Sequence, residues 1–255
     1  MSLINSAESI YTQISNKNLA HKNFVIRGIN DSIATGSLTA GGGNNLIKFK
    51  TNQANQDIDV VSTSTNDSSA GTGARTLIIT GIYIDSADSN KMKHKTTTWT
   101  LNGTTRVSSP TTGTNGFVAV NNMEVITAGT HLVGNLGEIK AQFATSSNLL
   151  NLIHTGAGQS QTASYAVRKG KELLVKEINI TTMLHTACVI SIYVANLDDG
   201  TRVLIDKIPV NHDESINHQL NLLVVEHHII YGIITPLETV IGTNHISINM
   251  SAIET

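Results

Sequence analysis

From residue 57 to the C-terminus, the chain is cut into short extended segments about ten residues apart, separated by clusters of Gly, Asn, Asp, Ser and Thr. No stretch between them carries the apolar period of a helix. Residues 244–253 show the pattern best: Ile246, Ile248 and Met250 alternate with Ser247, Asn249 and Ser251, giving one apolar and one polar face. Residues 187–196 are the most apolar segment, with Cys188, Ile190, Ile192 and Val194 sharing a face. The same reading predicts strands over 24–29, 46–49, 57–64, 75–84, 93–101, 117–126, 137–143, 172–182, 201–208, 220–226 and 227–234. Many short strands at this spacing imply an all-β fold of two antiparallel β-sandwich, jelly-roll-like units.

Composition agrees with that reading. Charged residues are only 14% of the chain, while Ser, Thr and Asn abound. Hydroxyls and amides suit strands and turns, whereas Lys, Glu and Arg usually dress exposed helices. Residues 6–14 are the one plausible helix, with Ser6 as cap and Ile10, Tyr11 and Ile14 as a stripe. The organisation expected is an N-terminal arm at 1–23 that orders on a partner or on its own domain, a first sandwich at 24–157 and a second at 158–255. Gly41, Gly42 and Gly43 read as a loop.

Several function classes are disfavoured. A single Cys cannot make an internal disulfide. No apolar run approaches the roughly 20 residues of a membrane span, and the first residues lack a basic region followed by an apolar stretch, so the chain reads as unprocessed. A formal charge of −2 with 4% aromatic residues offers neither a cationic surface nor stacking platforms, which argues against direct nucleic-acid binding.

Three stretches carry a resemblance: Ala70-Gly71-Thr72-Gly73-Ala74-Arg75-Thr76, then Thr100-Leu101-Asn102-Gly103-Thr104, then Tyr165-Ala166-Val167-Arg168-Lys169-Gly170-Lys171. From residue 57 onward the chain resembles a group of virion structural proteins of tailed bacteriophages and large algal viruses, in which AGTGART and TLNGT patterns precede a YTVPAGKT segment. Arg168-Lys169-Gly170 stands where that pattern has Pro-Ala-Gly, which bears on the turn and not on the strand after it. The resemblance implies a virion location, after assembly in the host cell cytoplasm, and brings no catalytic residues with it.

The structural or interface candidates are Arg75, Trp99, Asn102, Gly103, Asp199 and Gly200. Asn102-Gly103 is a strong signal for a type I′ hairpin whose return strand begins at Arg106-Val107. Leu197-Asp198-Asp199-Gly200 predicts a second hairpin, ended by Pro209 because proline cannot donate to a central ladder. Gly71 and Gly73 permit backbone angles that an L-residue resists, so that two strands can be joined across a sheet edge, and the planar donors of Arg75 suit anchoring a neighbouring loop or subunit. Gly71-Thr72-Gly73 opens onto a strand without a following Gly-Lys-Ser/Thr, so a phosphate loop is disfavoured. His227 and His228 on one strand would point to opposite faces, and no HExxH or Cys-x-x-Cys occurs, so no metal or other cofactor is expected. Asp57 and Asp59, and Asp198 and Asp199, suit strand alternation and turn chemistry better than calcium ligation. Cys188, flanked by Ile190 and Ile192, reads as a buried structural thiol.

The function expected is non-enzymatic: a minor capsid, vertex or capsid-decorating protein that packs on or between capsid subunits. Its partners would be the major capsid protein, other virion proteins and copies of itself in a trimer or pentamer. The alternative is a carbohydrate-binding or host-adhesion module, weakened by the scarcity of aromatic residues. An enzyme would need a selected pair of carboxylates, and no motif selects one among Glu138, Glu172, Glu177, Glu226 and Glu238.

Overall fold

A computed structural model of the chain describes residues 22–30, 36–37, 49, 57–85, 88, 91–108, 116–131, 134–183, 186–239 and 245–255. The helix expected at 6–14, most of the arm, the glycine run at 41–43 and most of the segment 46–49 lie outside the described residues.

In chain order the strands are β1 (Lys22–Asn30), β2 (Gly36–Ser37), β3 (Ile58–Ser62), β4 (Ala74–Asp85), β5 (Lys91–Thr100), β6 (Val107–Ser108), β7 (Ala119–Ala128) and β8 (Ile139–Phe143). They continue as β9 (Leu149–Ile153), β10 (Ser164–Ala166), β11 (Glu172–Met183), β12 (Cys188–Asn196), β13 (Arg202–Val210), β14 (Ser215–Val225), β15 (His228–Pro236) and β16 (His245–Glu254). The protein is all-β. Every pairing is antiparallel, and no helix occurs among the described residues.

Four sheets result. One has the order β1-β16-β11-β14, and a second has β10-β15-β12-β13 with β2 beside β15. One buried cluster draws on both: Ile178, Ile180, Ile248 and Met250 from the first, Cys188, Ile190, Ile192 and Ile234 from the second. Each fully buried Ile contributes about 1.5–3 kcal/mol over an exposed one, so this shared face dominates the stability of the pair. The third sheet, β6-β3-β8-β9, and the fourth, β5-β4-β7, share a cluster that includes Ile58, Val60, Leu77, Ile79, Trp99, Phe117 and Ile139. The far ends of β4 and β5 supply Ile82, Ile84 and Met92 to a third cluster with Ala166, Ala195, Ile229 and Tyr231, joining the fourth sheet to the second.

The alternation of residues 244–253 is borne out, because Ile246, Ile248 and Met250 are buried along β16. β1 pairs with β16 along its whole length, so this N-terminal strand lies among strands from the C-terminal part of the chain.

The structure corrects three local expectations. Asn102-Gly103 does not close a hairpin: β5 pairs with β4, while β6 pairs with β3. Only Gly103 takes a positive φ, of 62°, whereas a type I′ turn needs two, and the turn carries the chain from one sheet to the facing one. Pro209 does not stop its strand, because β13 is an edge strand and continues to Val210, with Pro209 opposite Val189. His227 and His228 do not share a strand, for His227 lies in the turn before β15 with φ 65°.

β9 escaped the sequence reading because all five of its residues are buried and none alternates. The first half of β14 escaped because Asn217, His218 and Gln219 offer no apolar face; its outer side is dressed with amides instead.

Candidate functional site

Two places in the fold concentrate polar chemistry: a buried carboxylate under the loop at 62–75, and a cleft between the fourth sheet and β1 and β10.

The loop is organised by Asp67, which is fully buried. Its Oδ1 accepts hydrogen bonds from the Ala74 amide (2.8 Å) and the Leu136 amide (2.9 Å). Its Oδ2 accepts from the Ser62 hydroxyl (2.6 Å) and the Gly137 amide (2.9 Å). A carboxylate has about four acceptor positions, and here all are filled by donors from three separate chain segments. Gly73 is required beside it, since a Cβ there would stand 2.2 Å from Asp67 Oδ1.

Three sequence candidates meet around this loop. Arg75 anchors its own loop: its Nε donates to the Gly71 carbonyl at 3.0 Å. Gly103 donates its amide to the Asp67 carbonyl at 2.7 Å, and Asn102 bridges to Ser68. Trp99 lies apart from them in the core at 2% exposure, with its indole Nε1 donating to Thr97 Oγ1 at 2.9 Å. Asp199 and Gly200 sit in the β12–β13 hairpin of the other sheet pair, where Asp199 Oδ1 accepts the Thr201 amide at 2.8 Å and Gly200 has φ 77°. The Thr201 amide holds the Asp199 carboxyl below the usual range. Asp59 accepts the Ser108 hydroxyl at 2.7 Å, which ties β6 to β3. Among the described residues, no three His, Cys, Asp or Glu side chains group as metal ligands. Cys188 is buried, and burial pushes its thiol up to about 11.

Sequence reading missed Asp67, Asn121 and the pair Arg168 and Glu254. Asn121 joins the two sheet pairs: its amide donates to the Ala166 carbonyl (2.9 Å) and accepts the Ala166 amide (2.8 Å), as a strand's backbone would. Glu254, 2% exposed, accepts from Arg168 Nε (2.9 Å), from Arg168 Nη2 and from the Tyr165 hydroxyl (2.9 Å). This clamp occupies the turn where Arg168-Lys169-Gly170 departs from Pro-Ala-Gly, and β11 follows it undisturbed from Glu172.

The clamp forms one wall of the cleft, which encloses about 730 Å³. Lys22 and Arg27 of β1, His94 of β5 and Asn122 of β7 also line it, with the segment 159–162. Burial, then the nearby Arg168 and Lys22 charges, hold His94 below its ordinary range. On the outer face of the first sheet, the amides of Asn217 (3.3 Å), Asn179 (3.3 Å) and Gln219 (3.1 Å) hold the Glu177 carboxyl low.

On the face of β5 opposite His94, Lys95 lies half-buried with its ammonium 4.4 Å from the Phe117 ring centre and 4.9 Å from that of Tyr83. Burial lowers its pKa to about 8. Between about pH 8 and the unfolded value near 10.4, the unfolded chain binds more protons at this site, so its contribution to stability rises with pH. Lys95→Met is therefore expected to be more stable than the parent by about 1 kcal/mol at pH 7, the half-exposed position and the lost ring contacts reducing the gain. That advantage should shrink from pH 8 to pH 10.5, as read by urea denaturation. A pH-independent difference would remove this account.

No helix among the described residues is long and apolar enough to cross a membrane. No protein-family model and no curated protein matches the sequence. Solved structures with a weak likeness include that of the infectious bursal disease virus Gx strain, with 10% identity over 92% of this chain and 72% of that one and a TM-score of 0.28. The crystal structure of the infectious bursal disease virus T13 viral particle gives 11% identity over 92% and 70%, with a TM-score of 0.23. The VP2 subviral particle of the same virus gives 9% identity over 92% and 74%, with a TM-score of 0.20.

Proposed function

We propose that the chain is a non-enzymatic structural component of a virion, a minor capsid, vertex or decorating protein that packs on or between capsid subunits. The strand order carries this reading. β1-β16-β11-β14 facing β10-β15-β12-β13 is the arrangement of an eight-stranded jelly roll, an architecture used by viral shells and lectins. In this reading the β3–β9 region is a second sandwich inserted between the first two strands of that roll, and β1 belongs with the C-terminal strands.

Subunit contacts are supplied by two neighbouring edge strands. β13 exposes Val203 and Leu204, and β14 exposes Leu223 and Val225. Apolar side chains on open edges invite association with further copies or with capsid subunits. The sequence resemblance to virion proteins adds to this, and Trp99, being buried, offers no sugar platform.

The recombinant chain is expected to elute from size-exclusion chromatography with light scattering as a trimer or pentamer. Val203→Lys with Leu223→Lys should reduce it to monomer, and mass spectrometry should find the parent in purified particles. A monomeric parent missing from particles would overturn the proposal.

A further inference from the structure

We propose that the cleft between the two sheet pairs binds an acidic saccharide, with its carboxylate held by Lys22 beside His94 and its hydroxyls, farther along β1, by Arg27 and the amides of Asn122, Gln159 and Gln161.

The charge balance of the walls comes first. Lys22, Arg27 and Arg168 are cationic, and among the described residues of the lining the one carboxylate is Glu254. Glu254 is already held by Arg168 and Tyr165, so that pair cancels and the charge of Lys22 and Arg27 is left facing the cleft. Arg27 is oriented by its Nε, which donates to Asn249 Oδ1 at 3.0 Å. Arg27 stands five residues from Lys22 on the other face of β1, so its remaining N–H groups serve ligand hydroxyls farther along the cleft and not the same carboxylate.

His94 registers the same field. The titratable and charged groups that share its cleft are Lys22 and Arg27 on β1, Tyr165 on β10, Arg168 just after β10 and Glu254 on β16, while β4 and β7 contribute Thr80, Asn121 and Asn122. Arg168 and Lys22 both disfavour its charged form. A bound anion would offset them.

The remaining chemistry selects the class of anion. Gln159 and Gln161 bring amide donors and acceptors, as sugar hydroxyls do in return, while Asn122 brings its N–H groups, its Oδ1 already accepting from the Ser160 hydroxyl at 3.1 Å and the Gln159 amide at 3.5 Å. A neutral sugar would depend on ring stacking, yet the aromatic side chain in the lining is Tyr165, whose hydroxyl is committed to Glu254. Affinity must then come from charge. The volume, about 730 Å³, falls within the roughly 300–1,000 Å³ of small-ligand sites.

The test is an NMR titration of the full-length chain with 3′-sialyllactose, lactose and inorganic phosphate. Sialyllactose is expected to bind and to raise the titration midpoint of His94 by about one unit, while lactose leaves it in place. Lys22→Gln and Arg27→Gln, both at exposed positions, should each weaken sialyllactose at least about fivefold. The His94 midpoint in the parent chain decides the matter even if a variant folds poorly. Equal binding of lactose would overturn the role of charge. Phosphate binding as tightly as sialyllactose would reduce the cleft to a general anion site, and no binding by any probe would remove the proposal. None of these results depends on whether the chain enters particles.

Discussion

Asp67→Ala is expected to lower the unfolding free energy by about 4–5 kcal/mol, a loss otherwise seen for large cavities or broken buried networks. The change leaves the Ser62 hydroxyl and the amides of Ala74, Leu136 and Gly137 without their acceptor, in a place that water does not reach. Each orphaned donor carries a desolvation penalty of about 1–3 kcal/mol, reduced where the loop relaxes. At roughly 2–4 °C per kcal/mol for a chain of this size, the midpoint should fall by about 10–15 °C. Asp67→Asn is expected to lose about 2 kcal/mol, since the new amide N–H group must face at least one backbone N–H on either side, Gly137 on one and Ala74 and Leu136 on the other, while the Ser62 hydroxyl can turn to accept. Calorimetry and urea denaturation measure both. If the alanine variant melted within about 3 °C of the parent, the carboxylate would not be the organiser of the loop.

The second large effect concerns the clamp at the C-terminal strand. Arg168→Met is expected to destabilise by about 3 kcal/mol, because it strands the Glu254 carboxylate, which is 1% exposed as a side chain, with Tyr165 as its remaining partner. Glu254→Met should also destabilise, though less, because the Arg168 side chain is 30% exposed and can turn to water. The double variant is expected to lie within about 1 kcal/mol of the parent, since a well-packed apolar pair replaces a buried ion pair at little cost. A double-mutant cycle in urea reads the coupling. Losses that simply add would show that the two charges act independently.

How far the sequence foretold this arrangement depended on where each side chain directs its polarity. The alternation in β16 and in β12 was legible because the buried faces there are unbroken rows of aliphatic residues. Asp199-Gly200 was legible because a local turn needs only local chemistry, and its hairpin formed as expected. Asn102-Gly103 misled because the same turn chemistry serves a crossing between facing sheets, and the choice is made by Asp67 and Thr65, which lie far back in the chain. Asp67 itself lay in a run of turn-formers, Asn66 to Ala70, where a carboxylate ordinarily faces water. The pairing of Arg168 with Glu254 spans a separation of 86 residues, which no short pattern reveals. The cleft has no sequence signature at all, since Lys22, His94 and Gln161 belong to three distant segments.

The pairing of β1 with β16 fixes an order of events during synthesis. Contacts such as Arg27 with Asn249 join residues 222 positions apart, so the first strand leaves the ribosome long before its neighbour exists. The region holding β3–β9 has its own apolar cluster and can close in the interval, whereas the outer sheet waits for the last residues. Long-range strand pairing of this kind is slow and leaves an unmatched backbone edge open to wrong neighbours. A nascent chain stalled before residue 245 therefore carries an orphan strand, a natural point for a chaperone to engage.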